Sequence, residues 1–197
     1  MAGLYIHIPF CKQACHYCDF HFSTNLQLLS PVVKSIVLEM ELRKDYLKGE
    51  SVDTVYFGGG TPSLLPAAAL EQILDQVALI FPGQKLEITL EANPDDLDSN
   101  SLATWKSLGI DRLSLGIQSF QDEILKAYNR AHNAQQAKQA IQLGRSAGFE
   151  KFSIDLIYGF PHANHGLWKK DLKEALLLDP GHLSAYSLTL EPKTTFG

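Results

Sequence analysis

Cysteine is scarce in this chain: there are three in 197 residues, all between positions 11 and 18. An odd count packed so closely excludes a disulfide framework of the kind that staples small secreted domains. No run of about 18 apolar residues occurs, so no integral membrane segment is expected. There is no Lys/Arg stripe, and the formal net charge is −5, which removes the electrostatic case for a nucleic-acid partner. The start, Met1-Ala2-Gly3-Leu4-Tyr5, has neither the basic stretch nor the apolar run of a secretory signal. Thiols kept available for metal suit a reducing compartment, so a cytoplasmic protein is expected. No linker or low-complexity segment divides the sequence, and one domain over residues 1–197 is the expectation.

What the chain does contain is an alternation of short β-type runs and amphipathic helical stretches. Strands are predicted at 4–8, 54–57, 86–91, 112–117, 152–157 and 183–190. The first helix is predicted to open at Ser30-Pro31, a capping serine followed by proline in the first turn. Val32, Val33, Ile36, Val37 and Met40 give that helix its apolar stripe. Further helices are expected at 67–80, 99–108, 134–147 and 167–178, with Gly148 and Pro180 placed to stop the last two. A repeated β-α unit implies a parallel sheet, and six units imply an α/β fold of the (β/α)6 partial TIM-barrel type.

The strands also say what kind of barrel this is. Leu86, Ile88 and Leu90 share one face of the third strand, and Glu87, Thr89 and Glu91 share the other. The fourth strand sets Leu113, Leu115 and Ile117 against Ser114, Gly116 and Gln118, and the fifth sets Phe152, Ile154 and Leu156 against Ser153 and Asp155. A complete barrel fills its interior with Val, Ile and Leu. This interior is polar, so it lines a cavity. Gly58, Glu91, Gln118 and Asp155 fall at or near the C-terminal strand ends, where parallel α/β folds bind ligands.

The three cysteines are spaced C-x3-C-x2-C, as Cys11, Cys15 and Cys18. Soft sulfur ligands suit an iron–sulfur cluster, zinc or Cu(I). Three ligands rather than four leave one metal position open to a small molecule. Buried free thiols, or zinc with His16 or His21 as a fourth ligand, are the competing readings. After the second strand comes Gly58-Gly59-Gly60-Thr61-Pro62, glycines that let backbone approach a ligand closely. No Gly-Lys-Ser/Thr follows, so this is not a Walker loop.

Taken together, the cysteine spacing and the GGGTP run resemble the radical S-adenosylmethionine (SAM) enzymes. In that superfamily three cysteines hold a [4Fe–4S] cluster and SAM occupies the open iron. Tyr5-Ile6-His7-Ile8-Pro9-Phe10 running into Cys11, with Glu91, Gln118, Arg130 and Asp155, narrows the resemblance to the oxygen-independent coproporphyrinogen III oxidase family. The resemblance implies that Cys11, Cys15 and Cys18 bind the cluster. It implies that Tyr5, Tyr17, Gly59, Gly60, Thr61, Glu91, Gln118, Arg130 and Asp155 contact SAM. No catalytic residue is assigned beyond these.

The family has two branches. The true oxidases carry an extended N-terminal segment and a further cysteine two residues past the third ligand; here that position is Phe20. Arg130-Ala131-His132 also resembles the other branch, whose members are heme chaperones; read alone, His132 is a surface histidine at a helix start. The resemblance implies SAM, heme, heme-receiving proteins and an electron donor as partners. The alternative is an enzyme that oxidatively decarboxylates coproporphyrinogen III through a 5′-deoxyadenosyl radical, and a zinc-binding barrel comes third. The family continues past Gly197, so a further C-terminal domain is expected beyond this core.

Overall fold

The computed structural model describes residues 2–83, 87–161 and 165–197. Leu86, the predicted first residue of the third strand, lies outside them. The elements run β1 (Ala2–Ile8), α1 (Leu29–Leu42), β2 (Val52–Gly59), α2 (Ala67–Ile80), β3 (Glu87–Ala92), α3 (Ser99–Ser107), β4 (Arg112–Gln118), α4 (Asp122–Ala127), α5 (Ala134–Ser146), β5 (Lys151–Tyr158), α6 (Gly166–Leu178) and β6 (Gly181–Ser187). The six strands form one sheet in chain order, and every neighbouring pair is parallel. Among the described residues β1 and β6 do not pair, so the sheet is an open arc, a partial barrel.

The predicted faces hold. Ile6, Ile8, Val55, Phe57, Leu90, Leu113, Leu115, Phe152, Ile154 and Leu156 are buried on the side where Leu70, Ile73 and Val77 of α2, Trp105 of α3 and Ile141 of α5 pack. Fully burying each such side chain contributes about 1.5–3 kcal/mol, and this layer drives the arc to form. The opposite face carries Tyr56, Glu91, Ser114, Ser153 and Asp155.

Three local predictions change. Ser30 is not a cap: α1 begins at Leu29, continuing a 3-10 turn over Leu26–Leu28 that Asn25 caps by accepting from the Gln27 N–H. Pro31 still falls in the first turn, where its missing N–H costs nothing. The last strand is Gly181–Ser187, not 183–190. Its partner β5 ends at Tyr158, before Gly159 at φ 90°, so after the Leu188 N–H reaches the Tyr158 carbonyl (2.7 Å) there is no ladder left for Thr189 and Leu190. The short helix α4 was not anticipated, because six residues are too few to show a helical period.

Candidate functional site

The polar face of the arc has a floor, walls and a roof. At the N-terminal floor, Arg112 donates to Glu87 Oε1 (3.4 Å) and Ser153 Oγ (2.5 Å), so these interior groups satisfy one another. Above them a cavity of about 500 Å³ opens toward the C-terminal strand ends. All three cysteines line it, and so do Tyr5, Tyr17, Gly59, Gly60, Thr61, Glu91, Gln118, Arg130 and Asp155. The cavity therefore brings together the residues that the resemblance implied for the cluster and for SAM, while Gly58, His16 and His21 do not line it.

The GGGTP turn forms one wall. Gly60 N–H donates to the Ile8 carbonyl (2.8 Å) and Thr61 N–H to the Phe10 carbonyl (2.7 Å), pinning the turn beneath the entry to the cysteine loop. A Cβ on Gly60 would lie 2.6 Å from the Phe10 carbonyl oxygen, so only glycine fits. Gly59 N–H donates to Glu91 Oε2 (3.1 Å), and Tyr56 Oη to Glu91 Oε1 (2.8 Å). The N–H groups of Gly59, Gly60 and Thr61 are thus all engaged within the protein. Burial raises the Glu91 carboxyl above its usual range, while Tyr56 pulls it back down. Burial also raises Asp155, against hydrogen bonding from Ser184 and the charges of His182 and Arg130.

The cysteine loop is the roof, and it is strapped down on two sides. Lys12 pairs with Asp95 (2.9 Å) and Asp96 in the turn after β3. Gln13 Nε2 donates to the Asn129 carbonyl (2.6 Å), Asn129 Nδ2 to the Ala14 carbonyl (2.8 Å), and His16 N–H to the Tyr128 carbonyl (3.1 Å). His16 Nδ1 meets the Ala127 carbonyl (2.9 Å), and its ring packs edge-on to Phe196, turned away from the cavity. It is therefore not placed as a fourth ligand. The thiols are free, and burial pushes Cys11 and Cys18 up, which favours the thiol until a metal supplies the positive charge. Among the described residues no three His, Cys, Asp or Glu side chains stand close enough to hold a single ion. All three cysteines line the cavity, and a multi-iron cluster is held by separate sulfurs at its corners.

Arg130 is not the solvated helix charge that a lone arginine suggests. It sits between α4 and α5 and donates to Cys15 Sγ (3.4 Å), Asn93 Oδ1 (2.5 Å) and the Gly116 carbonyl (2.7 Å), leaving its buried Nε–H without a partner. His132 is not a surface residue either: it is 3% exposed, and its Nε2 meets the Ile117 carbonyl (3.0 Å). Burial first, then the Arg130 charge, lower its pKa to about 4. Sequence reasoning missed Asn93, which joins Arg130 to Thr61 through Nδ2 (3.3 Å to Oγ1). Its signal was present: Thr89, Glu91 and Asn93 continue one alternation past the strand end. Tyr56 was missed as well, though its alternation with Gly58 puts it on the cavity face.

An open arc of six parallel β/α units, with three cysteines and a glycine turn across its mouth, defines a class. Residues 5–175 match the Radical SAM superfamily, and the chain belongs to it. Membership implies a [4Fe–4S] cluster and SAM. Within that class the chain is 40% identical over 199 residues to the heme chaperone HemW of Escherichia coli, covering 99% of this chain and 52% of that protein. It is 41% identical over 202 residues to the heme chaperone HemW of Synechocystis, covering 98% of this chain and 48% of that one. Among solved structures, coproporphyrinogen III oxidase (HemN) from Escherichia coli superposes with a TM-score of 0.86 at 28% identity, over 98% of this chain and 45% of that one. The chain spans about half the length of the curated relatives it matches.

Proposed function

We propose that this chain is the cluster- and SAM-binding core of a heme chaperone, which binds heme and passes it to heme proteins. Cys11, Cys15 and Cys18 are the residues that would hold the cluster, and the bound pair would supply one-electron chemistry at the sulfonium of SAM. The chain's own residues then have defined tasks. The unpartnered Arg130 Nε–H offers a charge-assisted hydrogen bond to a carboxylate. Glu91 and the carbonyls of Gly59 and Gly60 accept from an ammonium, and Asp155 accepts from hydroxyls. Tyr17, packed edge-on to the buried Tyr128, closes the cavity behind the cysteine loop.

One observation carries the chaperone reading over the oxidase reading. Phe20 stands where the oxidase branch has its further cysteine, and its ring lies on the cavity rim, 72% exposed. An exposed apolar ring offers a planar macrocycle a contact but no thiol chemistry. The relatives named as heme chaperones support the same reading. The HemN likeness supports the shared core rather than the reaction.

The test uses this chain, loaded with its cluster without oxygen, alongside full-length HemW of Escherichia coli as a heme-binding control. Each is titrated with heme by Soret absorbance and incubated with coproporphyrinogen III, SAM and reductant. The proposal predicts heme binding in the control, at most weak binding in this half-length chain, and no protoporphyrinogen IX from either. Steady formation of protoporphyrinogen IX by this chain would overturn it in favour of the enzyme.

A further inference from the structure

We propose that Asp171, on a helix that contributes nothing to the cavity wall, is the positioning residue that holds Gln118 in place for SAM. Asp171 lies on α6 and is 1% exposed, the least exposed carboxylate among the described residues. Its Oδ2 accepts from Ser119 Oγ (2.7 Å), and its Oδ1 accepts from Phe120 N–H (2.8 Å) and Gln121 Nε2 (3.0 Å). Ser119 Oγ in turn accepts from Gln121 N–H (3.1 Å). One carboxylate thus fixes three consecutive residues, and they are the three that follow Gln118.

Gln118 needs such an anchor. It sits at φ 66°, a left-handed conformation that a non-glycine residue keeps only where its surroundings impose it. The β4–β5 pairing slips by one residue between Leu115 and Gln118, a bulge that re-aims the strand end. The same bulge presents the Gly116 carbonyl to Arg130 and the Ile117 carbonyl to His132. Ser119 N–H reaches the Ile117 carbonyl (2.8 Å), closing the turn just ahead of the Asp171 clamp. Burial raises the Asp171 carboxyl above its usual range, against the hydrogen bonds from Gln121, Ser119 and Phe120 that lower it.

The inference rests on the reading that Gln118 faces SAM, and the experiment separates the two. SAM affinity and iron content are measured without oxygen for wild type, Asp171→Ala, Asp171→Asn, Gln118→Ala and Gln118→Ala/Asp171→Ala. The expected result is a roughly tenfold loss of SAM affinity in Asp171→Ala at unchanged iron content. Asp171→Asn should restore most of it, because the amide oxygen still accepts from Phe120. In the Gln118→Ala background, removing Asp171 should cost nothing further. If Asp171→Ala does not fold, Ser119→Ala removes one donor only and runs through the same cycle. Penalties that multiply, or wild-type affinity in Asp171→Ala, would overturn the inference while leaving SAM binding intact. Failure of the wild type to bind SAM would overturn the underlying reading and this inference together.

Discussion

Single side chains in the cavity wall work under opposed demands, and Glu91 shows it. Its carboxylate must accept from Tyr56 and Gly59 while remaining able to meet a ligand, at a depth where burial opposes its charge. Replacing Glu91 by Gln keeps the shape and removes the charge. SAM affinity should fall by about 10–150-fold, the worth of a charge-assisted hydrogen bond of roughly 1.5–3 kcal/mol. Equal affinities by anaerobic titration would make Glu91 a structural residue. His132 yields a separate prediction, because its pKa is lowered to about 4 in the fold. Between pH 6.5 and 4 the unfolded chain takes up a proton that the folded chain refuses, so stability falls as the pH drops through this window. Glu91 and Asp155 act the other way: their folded pKa values are raised, so their contribution to stability is present at low pH and is lost as pH rises through those values. Denaturant unfolding of the cluster-free protein at pH 7 and pH 5 should show His132→Gln losing about 2 kcal/mol less than wild type over that interval. An identical pH response in both proteins would contradict the burial of His132. The carboxylates were legible because strand alternation points them inward. The depth of Arg130 and His132 was not, since both lie in a connector whose path no local pattern fixes.

Elements carry the site through two contacts that the sequence only half revealed. The glycine turn was legible as a place of close backbone approach, and Gly60 meets the Ile8 and Phe10 backbone as that reading requires. Gly60→Ala would force these backbones apart, and it should lower stability by about 1–3 kcal/mol in urea unfolding while also loosening the cysteine loop. Stability within error of wild type would mean that the turn relaxes freely. The short helix α4 was invisible to periodicity, yet the carbonyls of its last residue, Ala127, and of Tyr128 and Asn129 just after it hold the cysteine loop. The end of β6 was misplaced for a related reason. Its residues alternate as far as Leu190, but a strand lasts only while a neighbour offers hydrogen bonds, and β5 stops first.

For the molecule as a whole, the sequence pattern and the structure meet in one geometric fact. Six parallel strands with a polar concave face leave a cavity, and the three cysteines close it from above. The alternation foretold the hollow interior because a charged face cannot pack as a hydrocarbon core does. What alternation could not supply was the spacing of the thiols, which depends on how Lys12, Gln13 and His16 strap the loop across two distant turns. The central claim is that those thiols hold a cluster with one iron open to SAM. The most direct measurement is iron, sulfide and zinc content after reconstitution without oxygen, followed by electron paramagnetic resonance of the reduced protein with and without SAM. The account predicts about four irons and four sulfides per chain, a signal that changes when SAM is added, and loss of both chromophore and signal in Cys15→Ser. Stoichiometric zinc with no iron uptake, or a cluster signal indifferent to SAM, would contradict it.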